Sequence, residues 1–171
     1  EVLIMTGLSG QQVEQYREQG YLFPVQVYTP AEVAEFRARF DEYYEFHRSR
    51  LETLPPNKHS AVYAHTHTFL KWVFDMISHP NVLDAAESLL GPNLVVRDTA
   101  WFVKMPGDKK YISWHQDATY WGLHPPLVTT AWIALSDSTA ENGCMRVVPG
   151  SHKNPILPHT ETHAPDNALS R

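Results

Sequence analysis

Apolar residues recur at intervals of three and four through the first half of the chain, whereas the second half carries alternating or continuous β-branched and aromatic runs. Ser9 followed by Gln12 has the form of a capping box, and the segment to Gln19 ends at Gly20, a good left-handed stop, so a short helix is predicted there. Residues 21–25, YLFPV, read as a strand. Thr29, Pro30 and Glu32 supply an N-cap, a first-turn proline and a capping-box carboxylate in register. A long helix follows, with Val33, Phe36, Phe40, Tyr43 or Tyr44, and His47 on one face and Glu35, Arg37, Arg39 and Glu42 elsewhere. The prolines of LPPNKHSAVYAHTHT, 54–68, predict a loop, and HPNVLDAAESLLGPN predicts another amphipathic helix ended by Gly91-Pro92. From Asn93 the period changes. LVVRDTAWFVKM, YISWHQD, LVTTAWIALSD and CMRVVPG, separated by turn residues, read as four strands. Helices first and strands afterwards predict one α+β domain over 1–171, in which an N-terminal helical region, residues 1–92, covers a sheet or barrel whose strands occupy 93–150.

Composition narrows the function. With 171 residues and 43% apolar content, the chain is long enough for one core, and a net charge of −5 with no Lys/Arg run offers no field for a phosphate backbone. Nucleic acid is not an expected partner. Cys144 stands alone, which rules out an intramolecular disulfide or a Cys-based zinc site and makes a reducing compartment, the cytoplasm, the expectation. The opening EVLIMTGLSG lacks the basic flank and length of a signal peptide, and no apolar run reaches the ~18 residues of a membrane span, so no membrane partner is expected. Oligomeric state is left open.

The candidate chemistry lies in YISWHQDATYW, 111–121. On a strand, side chains alternate, so His115 and Asp117 would share a face while Gln116 points away. An imidazole and a carboxylate so placed can occupy adjacent positions on one metal, as in the two-His, one-carboxylate facial triad of non-haem iron oxygenases. The same pair can also be a surface His and Asp sharing a hydrogen bond, and H-x-D alone does not decide between them.

The wider context does bear on that choice. GPNLVV entering a strand, WHQDATYW, TTAWIALSDSTAENG and RVVPGSHK, together with the opening LSGQQVEQYREQGYLFPVQVYTPAEVAEFRARF, resemble the phytanoyl-CoA dioxygenase family of Fe(II)/2-oxoglutarate oxygenases over nearly the whole chain. The resemblance implies a double-stranded β-helix, a jelly-roll or cupin-like barrel, with N-terminal helices packed on one sheet. It implies Fe(II) as cofactor, 2-oxoglutarate and dioxygen as cosubstrates, and His115 and Asp117 as iron ligands. It places Trp132, seventeen residues beyond His115, beside the 2-oxoglutarate pocket, where Thr130 on the same strand face can hydrogen-bond to the cosubstrate. Lys104, Lys109 and Ser113 are candidates to anchor a carboxylate, and Tyr120, Trp121 and His124 candidates to contact substrate. The implied activity is hydroxylation of a small organic metabolite coupled to decarboxylation of 2-oxoglutarate to succinate and carbon dioxide. An intact Asp117 favours hydroxylation over halogenation, because halogenating relatives leave that coordination position to chloride.

One feature of the family pattern is not met. The resemblance calls for a second His on a late strand and an Arg some ten residues beyond it. Here NPILPHTETHAPDNALSR follows the last predicted strand, with His159 and His163 as the downstream alternatives to His152, which resembles the family's loop histidine and is not read as a ligand. No Arg lies between Arg146 and Arg171. The expectation is therefore that the last barrel strands lie beyond this chain. Three rival readings stand: a non-catalytic barrel binding a small ligand or partner, another redox outcome such as desaturation or epimerisation, and, more distantly, a hydrolytic zinc site.

Overall fold

The computed structural model describes residues 7–55, 58–160, 164 and 166–169. Two helices begin where local chemistry requires. In α1, Gly10–Gln19, the Ser9 hydroxyl accepts from the Gln12 amide and the Gln12 side chain accepts from Ser9 N–H, while Gly20 closes the helix at φ 81°. In α2, Pro30–Thr53, Thr29 and Glu32 make the same reciprocal box, with Glu32 Oε2 2.7 Å from the Thr29 amide. The exposed pairs Arg37–Asp41 and Arg39–Glu35 along α2 are surface contacts of small energetic weight.

The predicted loop at 54–68 contains more order than its prolines suggest. A single turn, α3, Ser60–Tyr63, buries Val62, and a 3-10 turn, Thr66–Thr68, buries Thr66 completely. Next comes α4, Lys71–Ile77, which no local sequence signal predicts. It has no side-chain N-cap of the kind that marks α1 and α2, and Val73 and Met76 hold it in the core instead. α5, Pro80–Leu90, ends at Gly91 as predicted, and its N-terminus is capped by the His79 ring, whose Nδ1 accepts from the Asn81 amide.

The core is helical. Tyr28, Val73, Met76 and Val82 form its centre, with Val33, Phe36, Leu70 and Trp72 packed against them. The Tyr28 hydroxyl donates to the Met76 carbonyl at 2.7 Å, and burial, reinforced by the Glu32 carboxylate, holds that phenol well above its ordinary pKa. From the second half, Trp101, Ile133 and Leu135 reach this cluster.

The expected strands are not present as a sheet. Among the described residues, pairing outside helices consists of two isolated bridges, Ala64 with Ala100 (antiparallel) and Tyr111 with Asn167 (parallel). YLFPV at 21–25 is likewise unpaired coil, and the four runs within 93–150 are coil and turn rather than ladders. The reason is that β-branched composition records a fit to a half-buried pleated surface, whereas a strand exists only when a neighbour takes its N–H and C=O groups. Without such neighbours Val95 is 90% and Leu127 74% exposed. One trace of the alternation remains: Ile133 and Leu135 are half-buried against the helices, while the residues between and beside them are exposed.

Two outcomes follow for stability. Thr66→Val removes the acceptor that receives the Trp101 indole N–H at 2.9 Å, and should cost about 1–3 kcal/mol in urea unfolding. Thr29→Ala should cost about 1 kcal/mol at neutral pH. The hydrogen bonds from Thr29 hold the Glu32 carboxyl below its ordinary value of 4.5, so its contribution is complete above that value and disappears as pH falls through the depressed folded-state value. Urea midpoints measured from pH 7 down to pH 3 should show this acid limb in the wild type and a shallower one in Glu32→Gln.

Candidate metal-binding pair

His115 and Asp117 are brought together, although by a turn and not by a strand face. Asp117 has helical backbone angles, φ −52° and ψ −42°, and precedes the single turn α6, Ala118–Trp121. His115 Nε2 lies 3.0 Å from Asp117 Oδ1. Each is held by a further partner: His115 Nδ1 is 2.8 Å from the Ser113 carbonyl, and the Thr130 hydroxyl donates to Asp117 Oδ2 at 3.0 Å.

These contacts have a chemical consequence. A carbonyl can only accept, so His115 Nδ1 carries a hydrogen, while Nε2 faces a carboxylate oxygen that also can only accept. A contact of 3.0 Å there has a place for either a hydrogen on Nε2 or a metal ion between the two atoms. Donors at adjacent positions of one first-row metal, with bonds of about 2.1 Å at a right angle, stand about 3 Å apart. The pair therefore suits two ligand positions, with the histidine tautomer set by a backbone carbonyl as metal-binding imidazoles require. Among the described residues, no cluster of three or more His, Cys, Asp or Glu side chains suits a metal ion.

The loop carrying the pair is fastened to segment 155–159. Gln116, between the two residues, receives the Leu157 amide on its Oε1 at 2.8 Å and donates to the Pro155 carbonyl at 3.3 Å, and its own N–H donates to His159 Nε2 at 3.0 Å. His159 Nδ1 donates to the Leu157 carbonyl at 2.7 Å, so both ring nitrogens are engaged and His159 does not act as a third ligand in this arrangement. His163 lies outside the described residues. His152 donates from Nε2 to the Arg17 carbonyl at the end of α1, and a Cβ at Gly20 would collide with its ring.

The other expected residues take varied places. Tyr120 stands edge-on between the rings of His115 and His159, at 6.0 and 5.9 Å. Trp121 packs under the Arg97 guanidinium at 5.1 Å, and His124 is exposed. Thr130 engages the Asp117 carboxylate, and Trp132 is 39% exposed. Ser113 is bound through its amide and hydroxyl to the Asn167 side chain, and Lys104 donates to the Gly143 carbonyl at 3.3 Å. Lys109 is exposed. Gln116 and Asn167 are not predictable from the sequence because their partners lie 39 to 54 residues away, a separation that no local motif records.

The paired imidazole and carboxylate are a geometry that a metal site can use, and comparison with known proteins gives the family. The phytanoyl-CoA dioxygenase (PhyH) profile matches residues 16–171, and the chain belongs to that family. Proteins of this family are Fe(II)- and 2-oxoglutarate-dependent oxygenases. The peroxisomal phytanoyl-CoA dioxygenase of Rattus norvegicus is 28% identical over 173 residues, covering 89% of this chain and 50% of the rat protein. A probable phytanoyl-CoA dioxygenase of Caenorhabditis elegans is 36% identical over 94 residues, 51% of this chain and 30% of its own length. The Homo sapiens peroxisomal enzyme is 34% identical over 93 residues, 52% of this chain and 28% of its own. The chain thus spans at most about half the length of these relatives. No solved structure gives a significant match.

Gln116→Ala should release segment 155–159 from the pair. Hydrogen exchange at the Leu157 amide should then accelerate by roughly tenfold or more, while amides of α2 keep their wild-type protection. Unchanged protection at Leu157 would show that Gln116 does not hold the segment.

Proposed function

We propose that the protein carrying this chain is an Fe(II)- and 2-oxoglutarate-dependent hydroxylase of a small organic metabolite, with His115 and Asp117 as two of its three iron ligands and residues 93–150 contributing to a jelly-roll barrel. The observation that carries this reading is His115 Nε2 and Asp117 Oδ1 facing each other at 3.0 Å in a member of this family. Bound iron would supply the oxidising chemistry, using dioxygen and 2-oxoglutarate and leaving succinate, carbon dioxide and a hydroxylated product.

The side chains prepare that site in specific ways. The Ser113 carbonyl keeps the proton of His115 on Nδ1 and leaves Nε2 free to coordinate. The Thr130 hydroxyl occupies Asp117 Oδ2 and so directs Oδ1 toward the imidazole. Tyr120 flanks His115 on one side and would limit how a substrate approaches. Trp132 and Lys104 stay candidates for the cosubstrate, and Trp121 and His124 for the substrate. The presence of two ligands rather than three among the described residues favours a second reading, a barrel of the same family that binds a small ligand without catalysis.

Anaerobic titration of Fe(II) and 2-oxoglutarate separates the two. On the protein at the length of its relatives, the weak visible charge-transfer band of the chelate should appear, should vanish in His115→Ala, and should need about ten times more Fe(II) in Thr130→Val. No band in the wild type at that length would reject the hydroxylase in favour of the non-catalytic barrel. Running this chain beside it shows whether residues 1–171 suffice to hold the metal.

A further inference from the structure

A cavity of about 180 Å³ is lined by α2, by α3 with the preceding His59, and by the turn at 103–110. Its walls are tied to one another by the fold. From α2 the Tyr43 hydroxyl donates to the Val62 carbonyl at 2.8 Å, the Trp101 amide donates to the Tyr63 carbonyl at 2.9 Å, and His59 Nε2 donates to the Leu54 carbonyl at 3.1 Å. The turn closes on itself, with the Asp108 amide on the Met105 carbonyl and the Lys110 amide on Asp108 Oδ1.

The lining favours a neutral guest with a ring. Leu51, buried, and Val103, half-buried, supply apolar surface, and the rings of Tyr44, His59 and Tyr63 complete it. Charge is balanced, because the two cations, Arg48 and Lys110, are paired with the two carboxylates, Glu52 and Asp108, at 3.3 and 3.8 Å. A charged guest would lose hydration without meeting an uncommitted countercharge. The neutral polar groups are less fully used. Among the described residues, neither the Tyr44 nor the Tyr63 hydroxyl has a hydrogen-bond partner, and His59 is bonded through Nε2 but not through Nδ1. Burial, reinforced by the Tyr44 and Tyr43 phenols, pushes the Tyr63 hydroxyl up to about 12, so at neutral pH it keeps its proton and can donate. Size points the same way. An apolar cavity of about 150 Å³ takes one benzene ring, so this one matches a single ring with a small polar substituent.

We propose that this cavity binds a neutral single-ring molecule carrying a hydroxyl or carbonyl group, with the ring against Leu51 and Val103 and the polar group on the Tyr44 and Tyr63 hydroxyls. Its lining residues are separate from His115, Asp117 and their partners Ser113, Thr130 and Tyr120, so the site stands whether or not the hydroxylase reading does.

Phenol is the probe, titrated into metal-free protein at the length of its relatives and followed by backbone amide shifts in NMR and by heat in calorimetry. Benzoate and benzylamine, which carry the same ring with opposite charges, are titrated beside it. Phenol is expected to saturate with a Kd of about 1 mM, as a ligand of its size can, and to shift the amides of Leu51, Tyr63 and Val103 while those of α1 stay in place. Both charged analogues should bind roughly tenfold or more weakly. Tyr44→Phe and Tyr63→Phe keep the rings and remove the hydroxyls; each should weaken phenol, and the double variant should do so by roughly tenfold with the circular dichroism unchanged. No saturable binding of phenol, shifts confined to other residues, equal binding of a charged analogue, or undiminished binding in the two single variants overturns the site.

Discussion

Trp101 is where the two halves of this chain are joined. Its indole N–H donates to Thr66 Oγ1 inside the protein, its ring packs against Phe40 of α2 at 4.6 Å and Trp72 of α4 at 5.7 Å, and its amide donates to the Tyr63 carbonyl. The neighbouring His65 amide and His67 ring both bond to Thr99, so the 3-10 turn between α3 and α4 is fitted around this one extended segment. An indole has a large apolar body and one obligatory donor, which is why a fully buried threonine hydroxyl here is an anchor and not a defect. Further ties run through α1, where Tyr16 meets Thr129 and the Gln19 carbonyl receives the Gly150 amide. The extended half is therefore positioned from the helical side, at a few points, rather than by a ladder of its own.

How much of this is legible in the sequence depends on the range of the interaction. The capping boxes at Ser9 and Thr29 and the glycine stops at Gly20 and Gly91 are legible because donor and acceptor lie within a single turn. α4 is not, because it has no cap and is held by Val73 and Met76 contacting residues far away in the chain. The strands are inferred from composition, and composition reports only that a segment would suit a sheet. Whether its backbone groups find neighbours is decided by segments elsewhere.

His115 and Asp117 show the same division at closer range. Spacing places His115 and Asp117 together for a reason that does not hold, since Asp117 has helical rather than extended backbone angles. Their meeting holds nevertheless, because a two-residue separation joins side chains either across a pleat or around a tight turn. The contacts that hold the two side chains in place, the Ser113 carbonyl on Nδ1 and the Thr130 hydroxyl on Oδ2, come from backbone geometry and from a residue 13 positions away.

Exposure distinguishes the two flanks of the pair. The His115 and Asp117 side chains are 25% and 44% accessible, so water reaches the pair. Tyr120 and the 155–159 segment cover one flank, fastened there through Gln116 and His159. His159 is committed to that fastening by both ring nitrogens, which accept from the Gln116 amide and donate to the Leu157 carbonyl.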